Sequence, residues 1–170
     1  QMMRWAFEYS ETHRAIVIVR IIRSFSVCEE ELSPIQAPKT LPAMPPDREP
    51  MRWISALRTT PGNHRRLHDT IHKITEEFND LPFNRVEGTG QKGILAAGFS
   101  YSKLQDALQG ADTSDLTILK LSVQYPLPPD LIARFLKTCD EILVLEEVDP
   151  FLEDGIKTIG YDAGVTPRIL

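Results

Sequence analysis

The chain has 170 residues, 42% of them hydrophobic, with 19 basic against 24 acidic side chains, a net charge of −5 and a sequence pI near 5.4. That length and composition accommodate one domain with its own core plus an appendage, and the acidic balance without a basic block excludes nucleic acid and anionic membranes as expected partners. Two isolated cysteines, Cys28 and Cys139, exclude a disulfide framework or a cluster site and suit a reducing cytoplasm, while no apolar run reaches the roughly 18 residues of a membrane span and the N-terminus lacks a signal-peptide layout.

Gln1–Ser10 predicts a short helix with Met2, Trp5, Ala6 and Tyr9 on one side. It begins without a cap, as a segment cut from a longer chain would. Ala15–Val19 is a continuous apolar run, which predicts a strand buried on both faces. Arg20 and Arg23 follow it. Between residues 24 and 50, Pro34, Pro38, Pro42, Pro45, Pro46 and Pro50 exclude helix and central strand, so this stretch reads as an extended surface linker. Met51–Leu57 is ambiguous and suggests a short strand.

Thr59 or Thr60 is placed to cap the next helix, with Pro61 early in it. That helix should run to about Asp80, with Leu67, Ile71, Ile74 and Phe78 as its core stripe. Leu81-Pro82-Phe83 ends it. Gly93–Ala97 predicts a strand. Ser100 is the expected cap of a helix carrying Leu104, Ala107 and Leu108, stopped by Gly110. Leu116–Val123 is the next strand, and Tyr125-Pro-Leu-Pro-Pro129 turns it into a helix with Leu131, Ile132, Phe135 and Leu136 at helical spacing. Ile142–Leu145 completes a βαβ unit. Asp149 and Pro150 read as cap and first residue of a helix to about Gly160, with Phe151, Leu152, Ile156 and Ile159 inward. Thr166–Leu170 reads as a final strand. The order from residue 93 onward is β-α-β-α-β-α-β. It predicts the α/β class, a mostly parallel sheet between helices on both faces.

Several patterns invite a chemical reading. Gly88-Thr-Gly90-Gln-Lys-Gly93 matches G-x-G-x-x-G. The dinucleotide fingerprint needs a helix directly after it, and here a strand follows, so a lead-in turn is expected. His64, His68 and His72 step by four along a helix, with Glu76 one turn further, a line of potential ligands. The line also flanks the apolar stripe, as a solvated face would. Whether it binds metal is left open, and no metal site is assigned. Glu146, Glu147, Asp149, Glu153 and Asp154 cluster where a parallel strand should end, the edge at which open α/β sheets bind ligands. Capping and an inter-domain contact are the expected roles. Gly98-Phe99-Ser100-Tyr101 offers a helix start on the same edge, where a plain cap is expected. Arg20 and Arg23 receive no role. Cys139 reads as a small core residue and Cys28 as a loop residue.

Three pieces, "LTILKLSVQYPLPPDLIARFL", "EILVLEEVDPFLEDGIKTI" and "LPFNRVEG…KGILAAGFSYSKLQDAL", resemble the middle of the large (alpha) subunit of the indolepyruvate ferredoxin oxidoreductases. "WAFEYSETHRAIVIVRIIRSFSV" is similar to the last helix and strand of the domain that precedes this region in that family. The resemblance implies a three-layer α/β/α domain like the C-terminal domain of transketolases at 51–170. It also implies a Pro-rich linker at 24–50 and, at 1–23, the remnant of a pyrimidine-binding-type domain.

The family's full-length enzyme oxidatively decarboxylates 2-oxoacids with thiamine diphosphate, Mg²⁺ and iron–sulfur clusters, using CoA and ferredoxin as co-substrates. A smaller beta subunit and the other domains of the same subunit are the implied partners. The family's Gly-Asp-Gly motif and Cys clusters are absent from this stretch. The resemblance therefore assigns it no catalytic, cofactor-binding or metal-binding residue and implies an architectural fragment, inactive by itself and prone to self-association. Two alternatives stay open. One is a free-standing α/β module that binds a small ligand at the strand-end crevice. The other is the same domain from a transketolase-like or dehydrogenase E1 enzyme.

Overall fold

In the computed structural model the described residues are 2–23, 27, 29, 31 and 49–170. Most of the Pro-rich linker, and Cys28, lie outside them. The chain divides into two compact units, residues 1–70 and 71–170.

The first unit contains helix α1 (Met2–His13), the single turn α2 (Pro50–Trp53) and the first half of helix α3 (Thr60–Phe78). On α1, Trp5 and Tyr9 stack with ring centroids 4.6 Å apart, and His13 continues the row at 4.2 Å from Tyr9. Ala6 is the buried residue of this helix, and Met2 is exposed. Arg14 closes the helix in a left-handed conformation (φ 48°). The expected strand at Ala15–Val19 is not formed, and Ile16 and Ile18 are 89% and 87% exposed. An apolar run becomes a strand only beside a second strand that pairs its N–H and C=O groups. None flanks it among the described residues. Met51–Leu57 is likewise not a strand: Asn63 Nδ2 donates to the carbonyls of Met51 and Arg52, satisfying the end of α2 instead. The Thr59 and Thr60 hydroxyls donate to the carbonyl of Ala56, so they pin the preceding loop and do not cap α3. Leu67, expected in the core stripe, is 53% exposed.

The second unit carries the sheet. Its elements are β1 (Arg85–Gly88), β2 (Lys92–Ala97), α4 (Phe99–Ala107), β3 (Leu116–Leu121), α5 (Pro129–Thr138), β4 (Glu141–Leu145), α6 (Phe151–Asp162) and β5 (Arg168–Ile169). The strand order is β1-β3-β2-β4-β5. All neighbours run parallel except β1, which is antiparallel to β3.

The expected layering is observed. Leu95, Ala97, Leu119 and Leu121 pack on one face against Ile132, Phe135 and Leu136 of α5 and Leu152 and Ile156 of α6. Ile94, Ala96 and Ile118 pack on the other face against Leu104 and Tyr101 of α4. Ile132, Phe135 and Leu136 are at most 2% exposed, and burying each contributes about 1.5–3 kcal/mol. Pro129 opens α5 at a position whose N–H has no helical partner anyway. Helix α6 ends in a Schellman motif: Val165 N donates to Gly160 O at 2.8 Å and Gly164 N to Tyr161 O at 3.1 Å, with Gly164 at φ 66°.

Strand β1 was not anticipated. It is held by the turn before it, where Asn84 Oδ1 accepts from Ser122 N at 2.9 Å and Ser122 Oγ donates to Phe83 O at 2.7 Å. After β1 the chain must pass to the opposite side of β3, and the glycine run makes that crossing. Gly90 N donates to Leu116 O at 3.2 Å and Lys92 N to Asp115 O at 3.0 Å. A Cβ on Gly90 would stand 1.9 Å from the carbonyl carbon of Asp115. A Cβ on Gly93 would stand 2.9 Å from Cys139 Sγ and from Ile142.

Gly90→Ala should therefore lower stability by about 2 kcal/mol or more. Gly62→Ala, at a helical site with open space around it, should raise stability by about 0.5 kcal/mol. Urea denaturation of the two variants checks this, and equal effects would contradict it.

Candidate functional site

In a sheet of order β3-β2-β4-β5 the connections leaving β2 and β4 run in opposite directions, so the topological switch lies between those two strands. Ligands of open α/β proteins bind at that point, beyond the strands' C-terminal ends. Two segments meet the criterion: Gly98–Tyr101 after β2 and Glu146–Asp149 after β4.

Gly98 is the residue before α4, exposed, at φ 54°, and no side chain caps the helix. The expected cap by Ser100 is not formed, because Ser100 already lies inside the helix. Tyr101 turns onto the sheet. Its hydroxyl donates to Glu87 Oε1 at 2.9 Å, and Lys120 Nζ lies 4.8 Å from its ring centroid. Partial burial and the Glu87 carboxylate push the Tyr101 phenol above its ordinary range. This group ties α4 to β1 and β3.

The acidic cluster sorts differently from its local pattern. Asp149 precedes Pro150, but the cap of α6 is Glu146: its two carboxylate oxygens accept from Leu152 N at 2.7 Å and Glu153 N at 3.0 Å. The loop folds back to permit this. Val148 adopts φ 74°, rare for a β-branched residue, and is 93% exposed. Asp149 N donates to Glu147 O at 3.2 Å. Pro150, expected as the first helical residue, becomes the residue before the helix. Phe151, expected inward, is 52% exposed. Glu153 pairs with Lys157 one turn on and raises its ammonium above the ordinary range. With Glu146 engaged by two backbone donors, the cluster is a capping arrangement.

The remaining sequence candidates are also placed. The amides of Gly90 and Lys92 are already donated to the carbonyls of Leu116 and Asp115 at the entry to β3, so the G-x-G-x-x-G run presents no cradle for a phosphate. His64 and His68 come together, with Nε2 atoms 3.0 Å apart. Among the described residues no group of three or more His, Cys, Asp or Glu side chains surrounds one point, so His72 and Glu76 do not complete a cage. Cys139 is buried in the main core, where desolvation raises its thiol above the ordinary range. Arg20 and Arg23 are exposed. No helix among the described residues is long and apolar enough to cross a membrane.

A charged cluster with no local sequence signature lies at the opposite edge of the sheet. Gln91, Lys92, Asp115, Asp140, Glu141 and Arg168 line a shallow hollow of about 240 Å³ where the parallel strands begin. Lys92 Nζ lies 2.9 Å from Asp115, and Arg168 lies 3.8 Å from Glu141. Only the strand register brings these residues together. The Lys92 hydrogen bond holds the Asp115 carboxyl below its ordinary range, and Asp115 in turn raises Lys92. A carboxyl lowered on folding adds stability that is present above its unfolded value and lost as pH falls through the folded one. The Lys92 contribution is lost at the opposite, alkaline end. Both side chains are exposed, so salt screens the pair.

The chain matches no protein-family profile. It is 31% identical to the indolepyruvate oxidoreductase subunit IorA of Thermococcus kodakarensis, over 97% of this chain and 27% of that protein. It is 29% identical to the IorA subunit of Pyrococcus abyssi over 99% of this chain, and 40% identical to that of Archaeoglobus fulgidus over 55%. The chain thus spans 27% of the length of the first two of these relatives and 15% of the third. A solved 2-oxoglutarate:ferredoxin oxidoreductase from Magnetococcus marinus aligns at 16% identity and a TM-score of 0.47, over 68% of this chain and 20% of that one.

Two expectations follow from the site geometry. Glu146→Ala should cost about 1–2 kcal/mol through loss of the cap, and Asp149→Ala less than about 0.5 kcal/mol, in paired denaturation curves. In a ¹³C-detected pH titration, Asp115 should titrate below the usual carboxylate range and return to it in Lys92→Met; an unmoved midpoint would contradict the pairing.

Proposed function

We propose, from the relation of this chain over nearly all its length to one segment of the IorA subunits of indolepyruvate oxidoreductases, that it serves as an architectural domain of such an enzyme. The alignment across 97–99% of the chain carries this reading. The complete protein would oxidatively decarboxylate an arylpyruvate or related 2-oxoacid in the cytoplasm, with thiamine diphosphate as the group that stabilises the carbanion and iron–sulfur clusters passing electrons to ferredoxin. A smaller subunit would complete it.

The residues of this chain do not fit those groups. Two cysteines cannot supply the four thiolates of a cluster, and no Gly-Asp-Gly is present for diphosphate and Mg²⁺. Cys139, moreover, sits buried among apolar side chains. The domain's contribution is to present rigid surfaces. Leu143, Val148 and Phe151 are large apolar residues left 40%, 93% and 52% exposed on the second unit, where the rest of a longer polypeptide or its partner would pack. We assign 51–170 to the transketolase-C-terminal-like domain, and 1–23 to the end of a preceding domain, whose sheet would take up the apolar Ala15–Val19 run.

The test uses the complete polypeptide co-expressed with its small subunit. Indolepyruvate-dependent ferredoxin reduction should be present. Val148→Asp should reduce it at least tenfold, or block assembly in gel filtration, without shifting the melting temperature of the 170-residue chain. Turnover by the 170-residue chain alone, or none by the full assembly, would refute the reading.

A further inference from the structure

Side chains four residues apart on an α-helix stand on one face, with Cβ atoms about 5–6 Å apart. His64 and His68 form such a pair on α3, and both are exposed. Their Nε2 atoms converge to 3.0 Å, and the rings meet edge to face with centroids 4.4 Å apart. We propose that His64 and His68 form a two-imidazole chelate that takes a divalent transition-metal ion, Cu²⁺, Ni²⁺ or Zn²⁺, through both Nε2 atoms.

The geometry contains the bite of such a site. Two neutral imidazoles at this separation share one proton, one ring donating and the other accepting. When the donating ring shifts its proton from Nε2 to Nδ1, both Nε2 atoms carry a lone pair, and an ion can lie between them. With a metal–nitrogen bond of about 2.0–2.1 Å, two tetrahedral ligands lie about 3.3 Å apart. The Nε2 atoms must therefore separate by only a few tenths of an ångström, which small side-chain rotations of exposed residues supply. The i, i+4 histidine spacing is the one that helical zinc sites use.

Two protein ligands leave the other coordination positions to water or to a donor from another molecule, so the site is open and exchangeable. Imidazole donors select borderline transition metals over Mg²⁺ and Ca²⁺, which require oxygen ligands, and the affinity order places Cu²⁺ above Ni²⁺ and Zn²⁺. The adjacent Arg65 and Arg66 oppose a cation, although Arg66 already approaches Glu49 at 4.0 Å and Asp69 follows His68.

The intact chain is titrated with CuSO₄ and NiCl₂ by calorimetry, and the copper form is examined by electron paramagnetic resonance. One ion per chain is expected, with the splitting pattern of two nitrogen ligands. His64→Ala and His68→Ala should each weaken binding at least about tenfold, which is about 1.4 kcal/mol, while His72→Ala changes it less than twofold. Circular dichroism checks that each variant keeps its helix. Binding that survives His64→Ala, an equal loss in His72→Ala, or no binding of either ion below millimolar concentration would overturn the assignment.

Discussion

The sheet depends on a crossing at which two backbones come into direct contact. To place β1 on one side of β3 and β2 on the other, the backbone between Gly88 and Lys92 passes against the backbone of Asp115 and Leu116. Gly90 cannot carry a Cβ there, since the atom would lie 1.9 Å from a carbonyl carbon. The Thr117 hydroxyl seals the crossing by donating to Gly90 O at 2.6 Å. Steric exclusion explains the glycines, and the amides they expose are consumed by β3. The match to a nucleotide-binding pattern is therefore a coincidence of composition: the residues that want no side chain at a phosphate are also those that want none at a backbone crossing.

Once β2 is positioned, it is buried from both sides. Leu95 and Ala96 point to opposite faces and are both fully buried. Its small residues let helices approach closely, as at Gly93, where Phe135, Cys139 and Ile142 leave no room for a methyl group. Cys139 is part of that contact. Its conspicuousness as one of two cysteines has a packing explanation, and its buried, desolvated thiol is disfavoured as a nucleophile.

The parallel strands and their helices were legible because each signal was local. Continuous apolar runs mark strands buried on both faces, Leu131/Ile132/Phe135/Leu136 follow the helical period, and Pro129 and Gly110 punctuate their ends. What escaped depends on distant partners. β1 has Val86 as its one large apolar residue and exists through Asn84 and Ser122, 38 residues apart. Ala15–Val19 shows the reverse failure, with strand composition and, among the described residues, no strand beside it. The acidic loop misled because Asp149-Pro150 is a good cap by local rules. The reversal at Val148 brings Glu146 to the helix instead, and a left-handed valine has no signature in sequence. The charged hollow at Lys92, Asp115, Glu141 and Arg168 follows only from the parallel register.

One side-chain amide has a consequence of its own. Asn79, just beyond α3, accepts from Asp130 N at 2.9 Å and Leu131 N at 3.2 Å through Oδ1, and donates from Nδ2 to Asp130 Oδ2 at 3.1 Å. It works as a two-way clasp on the start of α5, fitted to both the amides and the carboxylate there. Spontaneous hydrolysis of this amide during ageing would keep the acceptor, erase the donor and set two anions side by side. Chemical wear would then register first as a loosening of α5, with the glycine crossing still intact.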